Sequence, residues 1–95
     1  MNLKIDMLKE KGELIASEGG NSMLPILKSK QKHKLKSCTW EDCQVGDIVF
    51  CKVKGRVITH KVWARNEVKG LQIGNNRGYI NGWTKTVYGK VTEIY

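Results

Sequence analysis

The feature that most limits what this chain can fold into is a pair of β-rich runs only two residues apart. Asp47–Val53 and Arg56–Trp63 flank Lys54-Gly55. So short a glycine-containing link between β-branched and aromatic segments is the mark of an antiparallel hairpin. Further β segments read at Glu13–Ser17, Gly70–Ile73 and Thr86–Ile94, with the glycine/asparagine loop Gly74–Gly78 between the last two. Helical spacing occurs near the start, at Leu3, Met7 and Leu8, with Gly12 placed to stop it. The pattern predicts an all-β fold, a coiled sheet or small barrel, with a short N-terminal helix. Ninety-five residues suffice for one such domain. It comprises a helix within 1–12 and a core over 19–95.

Composition narrows the class. Apolar residues make up 40% and charged residues 27%, too apolar for a disordered chain and too polar for a membrane protein. The longest apolar run is four residues, against the roughly 20 that span a bilayer. The first residues are charged throughout, so neither a signal peptide nor a membrane anchor is expected, and the reading is cytoplasmic. Cys38, Cys43 and Cys51 are odd in number and form no CxxC, which argues for reduced thiols over a disulfide framework or a zinc site. No metal or other cofactor is expected, since His33 and His60 lack ligand neighbours at the usual spacings.

A net charge of +8 makes a polyanionic partner worth weighing. The charge is densest where Lys28, Lys30, Lys32, Lys34 and Lys36 alternate with other residues and no acid intervenes. One reading is a solvated loop or an edge strand whose lysines discourage edge-to-edge pairing. The other is a nucleic-acid patch contacting phosphates, although the run offers no aromatic platform for stacking bases.

The segment Gly20-Asn21-Ser22-Met23-Leu24-Pro25 carries the sharpest chemical signal. A serine after a glycine-rich loop exposes its hydroxyl and its own amide at a rim. Pro25 stiffens the chain behind it, and Met23 can plug the loop into the core. Read by itself, such a serine is also an ordinary turn residue.

In this order, Gly20-Asn21-Ser22-Met23-Leu24-Pro25-Ile26-Leu27 with its Ser-Met-x-Pro box, Gly46-Asp47-Ile48-Val49, Thr59-His60-Lys61-Val62, Gly74-Asn75-Asn76 and Val87-Tyr88-Gly89-Lys90-Val91 cover residues 19–91. The set resembles the signal peptidase and LexA-repressor superfamily of serine peptidases. That resemblance implies the coiled β-sheet of this type, with Ser22 as nucleophile. Its histidine-base branch places histidine before a basic residue, as His60-Lys61 stand here. Strand alternation puts His60 on a face with Ile58 and Val62, an apolar setting that favours the neutral imidazole, while Lys61 points the other way. The branch's third member is an aspartate in a Gly-Asp-Asn-Asn-like loop, and Asn75 occupies that place. An amide can orient the imidazole but adds no charge to stabilise its protonated form, so weak activity is implied. Asp47 is a second candidate for that part. The oxyanion hole would comprise the Ser22 amide and the Asn21 side chain, since Gly20 stands where the family often supplies a hydroxyl. Asn21 reads equally well as a plain turn residue.

The expected function is therefore a soluble serine endopeptidase acting on an extended peptide. A compact, anchorless form of the domain suggests a phage or mobile-element protein. The alternative is a catalytically silent relative that binds nucleic acid or protein through its basic face. Trp63 reads as packing; Trp83, in the apparent loop Asn81–Thr84, fits packing or a peptide channel.

Overall fold

The computed structural model describes residues 3–17 and 30–95. Helix α1 (Leu3–Lys11) ends at Gly12, whose φ of +80° lets its amide turn back onto the Leu8 carbonyl at 2.8 Å. Seven strands follow: β1 (Glu13–Ala16), β2 (His33–Ser37), β3 (Ile48–Val53), β4 (Arg56–Asn66), β5 (Gly70–Gly74), β6 (Ile80–Thr84) and β7 (Val87–Ile94). They form one antiparallel sheet in the order β1-β2-β7-β3-β4-β5-β6. The domain is all-β with one short N-terminal helix. Among the described residues no helix is long and apolar enough to cross a membrane.

The β3–β4 hairpin turns at Lys54 and Gly55, with φ of +50° and +81°, the two left-handed residues that a type I′ turn requires. Alternation along β3 then sends side chains to two separate cores. On one face Val49, Cys51 and Val53 join Cys43, Val62, Leu71 and Ile73, with Ile58 and Val87 packed against them. On the other, Phe50 joins Leu8, Ala16 and Leu35, with Val57, Tyr88 and Val91 alongside. Helix α1 lies over this second cluster, where Leu8 is 1% exposed.

The sheet coils because β6 returns to β3. The Thr84 hydroxyl donates to the Lys52 carbonyl at 2.7 Å and accepts from the Thr86 amide at 3.0 Å, and the Lys52 amide donates to the Thr86 carbonyl at 3.0 Å. Strands β3 to β6 thus wrap around the first cluster as a small barrel. Thr84→Val keeps the shape but strips the closure of its hydroxyl. We expect a loss of about 1–2 kcal/mol, read as a lower urea midpoint at an unchanged slope.

Two sequence expectations change. His33–Lys36 of the basic run lie in an interior strand and not on a sheet edge, because β2 pairs with both β1 and β7. The reason is in its alternation: His33 and Leu35 point inward and are buried, which demands neighbours on both sides, while Lys34 and Lys36 point outward. The His33 Nδ1 lies 3.1 Å from the Gln31 carbonyl, and Nε2 has no hydrogen-bond partner among the described residues. The apparent loop at Asn81–Thr84 belongs to strand β6, whose one buried residue is Thr84, so apolar periodicity does not reveal it.

Candidate active site

The second half of the hairpin positions His60. Along β4, Thr59 faces Phe50 and His60 faces Val49, so the imidazole lies on the first-cluster side, with Ile58 and Val62 on either side along the strand. It is half-buried. Lys61 takes the opposite face, where its ammonium sits 4.6 Å from the Trp63 ring centroid.

The ring is held from two strands away. His60 Nδ1 and Asn81 Oδ1 are 3.1 Å apart. Between the pairs Ile73↔Gly82 and Gly74↔Ile80 the β5–β6 register slips, and Asn81 is the extra residue. A bulge of this kind re-aims one side chain and steepens the local twist. Here it carries Asn81 across the end of β5 to the imidazole. Gly82, with φ of +143°, accommodates the distortion. An amide oxygen can only accept, so in a neutral ring this contact places the hydrogen on Nδ1.

Asn75 does other work. Its Oδ1 accepts the amides of Arg77 at 2.9 Å and Tyr79 at 3.0 Å, using both lone pairs to shape the β5–β6 turn. Its carbonyl receives the Trp63 indole N–H at 3.0 Å, which ties that ring into the packing. The amide in contact with His60 is thus that of Asn81, while the Asn75 side chain is engaged with the turn. Asp47 is occupied too: its Oδ2 accepts the Gln44 amide at 2.9 Å, forming the turn that opens β3. The Gly46 amide and the Asp47 carbonyl extend the pairing to Val62, at 2.9 Å and 2.8 Å. The sequence signal that could have pointed to Asn81 is its Asn-Gly step, a frequent site of unusual backbone angles.

Ser22, Asn21, Met23 and Pro25 lie outside the described residues, as does Lys28. Of the remaining lysines in the run, Lys30, Lys32 and Lys36 are exposed, and Lys34 lies 3.5 Å from Glu13. Each tryptophan carries a cation over its ring. Arg65 and Lys85 lie 4.9 Å and 5.3 Å from the Trp40 centroid, Lys61 covers Trp63, and Lys69 is 5.5 Å from Trp83. Among the described residues no three His, Cys, Asp or Glu side chains converge as metal ligands would. Comparison with protein-family models and with curated proteins finds no match.

Proposed function

We propose that the chain is a serine endopeptidase in which Ser22 is the nucleophile, His60 the general base and Asn81 the residue that positions His60. The observation carrying this reading is the 3.1 Å contact between His60 Nδ1 and Asn81 Oδ1 at a sheet bulge, because it presents Nε2 as the acceptor. In the reaction, the Ser22 hydroxyl oxygen bonds to the peptide carbonyl carbon as its proton passes to His60 Nε2. The carbonyl oxygen becomes an oxyanion, received by the Ser22 amide and the Asn21 side chain. Collapse breaks the C–N bond, and the imidazolium returns the proton to the departing amine. Water activated by His60 then releases the acyl group. Substrate would bind as an added strand beside the site. A neutral amide orients the ring without stabilising its charged form, so turnover should be slow. Three free thiols fit a reducing, cytoplasmic setting, and a phage or mobile-element origin agrees with the compact domain.

A fluorophosphonate probe tests the assignment. Labelling should fall on Ser22 and vanish in Ser22→Ala and in His60→Ala. Labelling that survives either change, or none in the native chain, overturns it.

A second reading, a basic binding module, draws on the exposed Lys30, Lys32 and Lys36. Against it, base stacking needs open aromatic faces, and the tryptophans already bear intramolecular cations. Salt-sensitive retention on DNA that persists in Ser22→Ala would favour this reading instead.

A further inference from the structure

The two cysteines that bracket the short 3₁₀ turn Trp40–Asp42 have no part in the peptidase site, and their sulfurs lie 3.7 Å apart. We propose that Cys38 and Cys43 form an oxidisable dithiol that closes to a disulfide when Cys38 meets a peroxide.

The two sulfurs differ in ways that assign their parts. Cys38 is half-exposed and lines a pocket of about 370 Å³ with Lys36, Ser37, Asp42 and Lys90, whereas Cys43 is fully buried. The Lys90 ammonium donates to the Asp42 carbonyl at 3.1 Å, which fixes a positive charge at the pocket. The hydrogen bond with Cys43 lowers the pKa of the Cys38 thiol; burial opposes this, and the Lys90 charge acts in the lowering direction. The same pairing, together with burial, raises Cys43. Cys38 is therefore the more readily ionised of the two and the one reachable from solvent, with the Cys43 thiol poised behind it. Cys51 provides an internal contrast: it sits fully buried on β3, and desolvation pushes its thiol up to about 12.

The turn between the cysteines is gripped from outside. One Arg65 guanidinium nitrogen donates to the carbonyls of Trp40, Glu41 and Cys43 at 3.2 Å, 3.2 Å and 2.8 Å. This holds the second sulfur near the first, so bridging to the usual ~2.0 Å requires only a local shift of the half-exposed Cys38.

The chemistry balances. The Cys38 thiolate attacks one peroxide oxygen, the O–O bond breaks, and the leaving oxygen takes a proton to become water. Cys38 is thereby oxidised to a sulfenic acid and the peroxide reduced. The Cys43 sulfur then bonds to the Cys38 sulfur, the S–O bond breaks, and hydroxide departs with the Cys43 proton as a second water. One hydrogen peroxide and two thiols give one disulfide and two waters.

The test treats the full chain with hydrogen peroxide, caps remaining thiols with a maleimide after denaturation, and cleaves at Glu41, between the two cysteines. We expect a dithiothreitol-sensitive link between the Cys38 and Cys43 fragments, with Cys51 still carrying maleimide. Cys38 should be consumed at least ~10-fold faster than Cys51. In Cys43→Ala the Cys38 sulfenic acid should persist and be trapped by dimedone, and in Cys38→Ser the fast phase should disappear. Three intact thiols after treatment, equal consumption of Cys51, or a sulfinic acid at Cys38 with no bridge in the native chain would each overturn the proposal.

Discussion

Replacing His60 by alanine is expected to lower the rate of peptide cleavage by about 10²–10⁴-fold, the usual contribution of a positioned general base. The ring is half-buried, so the change should leave the thermal midpoint nearly where it was. Asn81→Ala is expected to act through the same ring and more gently, by roughly 10-fold, because it frees a tautomer and an orientation without removing the base. Asn81→Asp should restore the orienting acceptor and add charge beside the imidazolium, raising kcat above that of the native chain. Matched kinetics of the three variants decide the matter. If Asn81→Ala and Asn81→Asp behave alike, the 3.1 Å contact with His60 is packing and not positioning.

Gly74→Ala should be strongly destabilising, at about 3 kcal/mol, a fall in Tm on the order of 15 °C. A Cβ at this position would stand 2.4 Å from the Tyr79 carbonyl oxygen and 3.0 Å from side-chain carbons of Ile80 and Trp63. The first of these is backbone, so no rotamer change relieves it. Relief requires β5 and β6 to part, which withdraws Asn81 from His60. Stability and activity should therefore fall together. Gly78→Ala serves as the control in the same turn. Its φ of +99° makes alanine strained there, but nothing lies within 4 Å of the added carbon. It should cost only about 1 kcal/mol and leave the His60–Asn81 contact in place. Equal effects of the two substitutions, measured by thermal melts, would mean that left-handed strain and not close strand approach governs this hairpin.

The strands carried by β-branched residues were legible from spacing. Ile48–Val53 and Arg56–Trp63 alternate around a two-residue glycine turn, and that local chemistry admits little besides a type I′ hairpin. Helix α1 was legible because Gly12 ends it. Two strands were not. Strand β2 was hidden by its lysines, which mark a solvated surface whether the strand lies at an edge or in the middle of a sheet. Strand β6 was hidden because Asn81 and Gly82 look like a loop when no partner strand is in view.

The site divides in the same way. The side of β4 that His60 occupies follows from a period of two, and alternation alone separates it from Lys61. Which asparagine meets its Nδ1 does not follow, because Asn75 and Asn81 are chemically equivalent amides close together in the chain. A slip in the β5–β6 pairing decides between them. It turns Asn75 to the amides of Arg77 and Tyr79 and carries Asn81 over the end of β5. The pairing of Cys38 with Cys43 likewise depends on how a 3₁₀ turn is held by an arginine 22 residues beyond Cys43. Sequence by itself determined the class of fold, the hairpin that bears the histidine and the side of the strand it faces, since these rest on turn geometry and strand periodicity within a few residues. Tertiary structure alone decided which polar groups meet, because register and sheet closure are set by contacts between segments distant along the chain.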